Sequence, residues 1–183
     1  KKYELRQSID YYEEKFGGLN SLEYSINSGK ENGINDPEYL QKVNDLVEFM
    51  RNQPKVTSVR SYTDVVKRLN QNFNNDDQSF YKIPSSELEA AQYLFLYELS
   101  LGYGLDLTDQ INVDKSALRV TTTVANATTK EFLDLDKKIQ GWFKENAPEL
   151  MSKSTGPSQV FSQISSRDVP AMLKGTGFAL IGI

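Results

Sequence analysis

Twice along this chain, apolar residues at every second position give way to apolar residues at helical spacing and then to another extended stretch. This doubled change of period limits the fold more than any other feature. In the first instance Leu22, Tyr24 and Ile26 alternate with polar neighbours across residues 20–28, the pattern of a half-buried strand, and Gly17 and Gly18 mark its start. Asn35, Asp36 and Pro37 then supply an N-cap and a proline near the first helical position, after which Leu40, Val43, Leu46, Val47 and Met50 fall on one helical face. That helix ends before Pro54, and the β-branched run 55–61 suits a second strand.

The second instance begins at Ala117–Ala125, where Leu118, Val120, Thr122 and Val124 alternate with Arg119, Thr121 and Thr123. Thr128 and Glu131 fit a capping box, and Phe132, Leu135, Ile139 and Phe143 form the stripe of the helix that follows. Pro148 closes that helix, and a strand with a weak apolar signal is expected around 150–154. Two β-α-β units with both helices on one sheet face make an α+β fold, and the split β-α-β or ferredoxin-like arrangement is its simplest form. The expected organisation is one domain, 1–183: a first unit at 16–61, a mainly helical insertion at 62–113, a second unit at 117–156, and a final helix over 157–183.

Within the insertion, Val65, Val66, Leu69 and Phe73 carry one apolar stripe, followed by the polar loop NQNFNNDDQS. The next helix is unusual. Ser86 and Glu89 fit its cap and Gly102 its stop, but Leu88, Ala90, Ala91, Tyr93, Leu94, Phe95, Leu96, Tyr97, Leu99 and Leu101 occupy nearly its whole circumference. Such a helix is either buried on every side or presents a surface to a partner. Tyr93, Phe95 and Tyr97, extended by Phe80 and Tyr81 before Pro84, are therefore candidate contacts for an amphipathic substrate or another domain. The competing reading is an ordinary core helix.

Other chemistries find little support. The chain has no cysteine and no histidine, which removes thiolate and imidazole nucleophiles, bases and zinc ligands. A net charge of -4 with both signs mixed argues against a nucleic-acid partner, and the strand 117–125 has no aromatic residue on which a base would stack. Asp134 and Asp136 point in different directions on a helix, while Asp76 and Asp77 sit in a polar loop, so neither pair suggests an acid–base dyad. Asp106, Asp109 and Asp114 lack the EF-hand spacing, and Gly102-Tyr103-Gly104 lacks the context of a dinucleotide loop. Asn126-Ala127-Thr128 matches a glycosylation acceptor, but Thr128 is already used as a cap. No enzymatic activity and no cofactor are expected. The first residues, KKYELRQSIDYYEEKF, have no apolar core of a signal peptide. The last, GTGFALIGI, are uncharged and suit either a final buried strand or the opening turns of a membrane helix, since a full span needs about 20 apolar residues.

The order of segments resembles the large extracytoplasmic loop domain of bacterial exporters of the resistance-nodulation-division (RND) superfamily, particularly its MMPL-type branch. The resemblance runs through FGGLNSLEYSI (16–26), DPEYLQKVNDL (36–46), VTSVRSYTDVVKRLNQ (56–71), YKIPSSELEAAQYLFLY (81–97), ALRVTTTV (117–124) and Ser154-Thr155-Gly156. It implies a ferredoxin-like porter subdomain on the periplasmic side of a bacterial inner membrane, with GTGFALIGI leading into a membrane helix. It also implies proton-driven export of hydrophobic or lipid-like molecules. The implied partners are the membrane helices and second loop domain of the same transporter, with homo-oligomerisation left open, and the proton-relay carboxylates would lie outside this chain. An extracytoplasmic sensor domain flanked by membrane helices is the alternative from another class, and a carboxylate-dependent hydrolase the weakest.

Overall fold

The computed structural model describes residues 3–181 without Tyr103, and excludes the side chains of Leu5, Leu180 and Ile181. Gly182 and Ile183, the end of the apolar tail, lie outside the described residues. The elements are α1 (Glu4–Phe16), β1 (Asn20–Asn27), α2 (Pro37–Arg51), β2 (Val56–Arg60), α3 (Tyr62–Phe73), α4 (Glu87–Ser100), β3 (Ala117–Val124), α5 (Thr129–Asn146), β4 (Ser154–Thr155) and α6 (Pro157–Ile181).

The four strands form one antiparallel sheet in the order β2-β3-β1-β4. Each β-α-β unit is thus split by a strand of the other: β3 lies between β1 and β2, and β1 lies between β3 and β4. This is the arrangement expected from the doubled period. Registers such as Leu22↔Thr122, Tyr24↔Val120 and Ile26↔Leu118 put the alternating apolar side chains on one face. There they are buried with Leu40, Val43, Val47 and Met50 of α2 and Phe132, Leu135, Ile139 and Phe143 of α5. The opposite face carries Ser21, Glu23 and Ser25 beside Arg119, Thr121 and Thr123, none of them buried.

Helix starts follow local chemistry. Asp36 accepts from Glu38 N (3.0 Å) ahead of Pro37, and Ser61 accepts from Thr63 N (3.2 Å). Thr128 and Glu131 form the reciprocal capping box. At α4 only half of the expected box exists: Ser86 Oγ accepts from Glu89 N, but the Glu89 carboxylate accepts from Ser85 instead of from Ser86 N.

One expectation changes, and two observations stand beside it. The last strand is Ser154–Thr155, not 150–154, because Pro148–Leu150 forms a 3-10 turn in which Leu150 is buried. Gln140 Nε2 then donates to Ser152 O (2.7 Å), tying the chain to α5 before it reaches the sheet. The opening residues form α1, which has exposed aromatics at Tyr11, Tyr12 and Phe16. Finally, α6 runs into the apolar tail, yet no described helix is long and apolar enough to cross a membrane.

Both terminal helices join the sheet at one end. Gly18, after α1, lies against Val124 O at the end of β3, while Gly156, before α6, lies against Ser21 O near the start of β1. Asn20 and Ser21 pair with Val124 and Thr123, so these contacts share one edge of the antiparallel array.

Candidate functional site

The insertion between β2 and β3 packs α3 against α4. On α4 only Ala90 and Leu94 are buried, while Tyr97 and Leu101 pack half-buried against the core. The outer side leaves Leu88 at 67%, Phe95 at 60%, Leu96 at 46% and Leu99 at 67% exposed. Leu88, Phe95 and Leu99 are spaced by seven and four residues, which aligns them along one stripe of the helix. Of the two readings of an all-round apolar helix, the exposed surface is the one observed.

A cleft lies at the end of α4. Beyond Leu101, the segment 102–116 folds back toward the start of β3, and a concavity of about 430 Å³ opens between it and the end of α4. Its apolar lining is Leu101, Leu107, Ile111 and Val113; Leu107 and Ile111 are anchored in the core, and Val113 is almost wholly exposed. The shape of the segment has local causes. Ile111 bridges to Leu118, Gln110 O accepts from Arg119 N (2.8 Å), and Asn112 Oδ1 accepts from the backbone N–H groups of Ser116 and Ala117 (2.8 and 2.9 Å). The polar members of the lining include Glu98 and Lys115, paired at 2.7 Å, and Asp106. Asp106 accepts from the Thr108 hydroxyl and N–H, which hold its carboxyl below the usual aspartate range.

An apolar cleft with a few charged groups at its margin binds amphipathic molecules by burial of their apolar part. Within it Glu98 is paired with Lys115, and Asp106 accepts from Thr108. Tyr62, fully buried, has its pKa pushed up by desolvation and then by the charge of Glu98, so it stays a neutral phenol. Among the described residues, no group of three or more His, Cys, Asp or Glu is placed to hold a metal ion.

The five candidate residues read from the sequence do not form one wall, and none lines this cleft. Phe95 belongs to the exposed stripe. Tyr93 stacks on Phe73 of α3 with ring centroids 4.9 Å apart, a packing contact between the inserted helices. Tyr97 packs on the core. Tyr81 receives Lys67 Nζ at 5.3 Å and the Arg68 guanidinium at 5.9 Å over its ring, and Phe80 receives Lys82 Nζ at 5.4 Å. Lys67 in turn donates to Asn44 Oδ1 (2.8 Å) and pairs with Asp64 (3.2 Å), so Tyr81 caps a polar junction of α2 and α3.

Sequence reasoning placed Leu101 in the apolar run of α4 but missed Leu107, Ile111 and Val113. Their one visible signal was a set of isolated apolar residues in a segment otherwise rich in Asp, Asn and Gly. No family model, curated protein or solved structure matches the chain.

Proposed function

We propose that this chain is a noncovalent binding domain for hydrophobic or lipid-like molecules, working as the periplasmic porter-type domain of a proton-driven RND/MMPL-type exporter in a bacterial inner membrane. The observation that carries the reading is the cleft lined by Leu101, Leu107, Ile111 and Val113 at the end of α4, a helix whose Leu88, Phe95 and Leu99 are also exposed. A monomeric surface rarely leaves a contiguous apolar area open without a ligand or partner for it. Two further features support it. The split β-α-β sheet with a helical insertion is the architecture that the resemblance implies. The attachment of α1 and α6 at one end of the sheet suits a domain that leaves a membrane and returns to it. In this role the domain performs no bond chemistry; substrate is held by apolar burial while membrane-driven movement opens and closes its path.

Binding of Nile red to the isolated chain, followed by fluorescence, tests the cleft. Gly102 lines it with ordinary backbone geometry, and a Cβ there meets only Leu105 Cδ1, at 3.8 Å. Gly102→Trp therefore adds bulk to the cleft at little cost to the fold, and Leu101→Asp makes its wall polar. Each is expected to weaken dye binding about tenfold or more, corresponding to roughly 1.4 kcal/mol of lost apolar burial. Full-strength binding in both folded variants would remove the cleft from the substrate path.

A further inference from the structure

The hydrogen bonds that join helix α6 to β1 and α5 come from its first turn. Gln159 is its one buried residue among those described, at 4% exposure, whereas Val160, Phe161, Ile164, Val169, Met172, Leu173 and Phe178 are exposed. Gln159 Nε2 donates to Asp136 Oδ2 of α5 (3.0 Å), and Asp136 Oδ1 accepts from Tyr24 Oη of β1 (2.7 Å). Next to this chain, Ser158 Oγ accepts from Ser21 N (3.3 Å). Three elements thus meet in one short polar relay reaching into the core.

Several features bear on how this relay holds α6. Tyr24 is fully buried, and burial followed by the neighbouring Asp136 pushes its pKa far up, so it remains a donor aimed at Asp136. Asp136 spends one oxygen on Tyr24 and the other on Gln159, and no cation pairs with it among the described residues. Gln159 Oε1 is buried and finds no hydrogen-bond partner among the described residues. Its amide is therefore held by the donor end alone, which makes the closed state less secure than a fully satisfied network. Gly156 precedes the helix at φ +108, a conformation that side-chain-bearing residues rarely adopt. Past the first turn, the body lies along α6 mainly through small polar residues: Ser165 and Ser166 flank a shallow groove against Thr129, Lys130, Leu133 and Lys137 of α5.

We propose that Tyr24, Asp136 and Gln159 are positioning residues of a latch that fixes the direction of α6 relative to the sheet, with Gly156 as the pivot about which the helix swings when the latch opens. The stretch Pro157–Val169 is about 20 Å long at 1.5 Å per residue, so a 15° swing carries its far end about 5 Å. A force or partner acting on the exposed length of α6 is transmitted to β1 through the two hydrogen bonds of Asp136 and the direct bond from Ser21 N to Ser158 Oγ. The latch stands on this geometry whether or not the chain belongs to a transporter.

The cysteine-free sequence makes the test clean. Spin labels are placed at Gln41→Cys on α2 and Val169→Cys on α6, both exposed positions, and their distance distribution is measured by pulsed electron resonance. Gln159→Ala and Gln159→Glu are each expected to broaden the distribution at least twofold or shift its centre by several ångströms, the Glu variant at pH 8 because its carboxylate faces the acceptor oxygen of Asp136. The double variant Asp136→Asn/Gln159→Glu exchanges donor and acceptor, leaves an oxygen for Tyr24, and is expected to restore the narrow distribution. An unchanged distribution in a folded single variant overturns the latch. So does a double variant as loose as the singles, which decides the matter even where a single variant fails to fold.

Discussion

Gly18 occupies φ +144 at the junction of α1 and β1, and a Cβ added there would lie 2.4 Å from Val124 O. Both the backbone and the space exclude a side chain. Gly18→Ala is expected to cost about 3 kcal/mol, the sum of strain and overpacking, in urea denaturation. Gly29, at φ +83 with nothing within 4 Å of its added Cβ, separates the two causes: Gly29→Ala is expected to cost only about 1 kcal/mol. A second expectation at this scale concerns Glu131, whose carboxylate is held at about 2 by Lys55 Nζ first and then by the Thr128 N–H and hydroxyl. Its pKa lies below the ordinary glutamate value in the folded state, so its stabilising contribution is complete above that value and disappears as pH falls from there toward 2. An NMR titration of the Glu131 carboxyl should find this low midpoint, and Lys55→Met should move it upward. A midpoint indifferent to Lys55 would contradict the assignment.

Helices α4 and α5 show what a sequence reveals about an element and what it withholds. In α5 the stripe Phe132, Leu135, Ile139 and Phe143 is narrow, and all four residues are buried, because a single apolar face has one place to go. In α4 apolar residues surround the axis, so periodicity cannot choose an inner side; packing on α3 chooses Ala90 and Leu94. Leu94→Ala is accordingly expected to cost about 2–5 kcal/mol in thermal or urea unfolding. Phe95→Ala and Leu99→Ala should stay within about 0.5 kcal/mol of the parent while weakening Nile red binding. A large stability loss at Phe95 or Leu99 would mean that the outer face is packed after all. The strand β4 was misplaced from sequence because Ser154–Thr155 is defined by bonds to Glu23 and Tyr24, not by alternation. For α1 the reason is the converse: its aromatics at Tyr11, Tyr12 and Phe16 remain exposed, and none of its described side chains is buried. The cleft was illegible because tertiary closure of 102–116, through Asn112 and the Gln110–Arg119 backbone bond, creates it.

For the whole molecule, the sheet order could be expected from the two β-α-β patterns, since a polar face and an apolar face on β1 and β3 leave few ways to interleave the units. The result places the terminal helices together at one end of the sheet and adds the helical insertion with its cleft between β2 and β3. The proposed binding role rests on that cleft more than on Phe80, Tyr81, Tyr93 and Tyr97, none of which lines it. The direct measurement is a two-dimensional NMR titration of the isotope-labelled chain with a neutral single-chain amphiphile kept below its micelle concentration. The expected result is saturable shifts concentrated at Leu99, Leu101, Gly102, Ile111 and Val113, extending to Phe95. Shifts confined to α6 or to the polar sheet face around Glu23, Arg119 and Thr121, with residues 98–115 unmoved, would contradict the account.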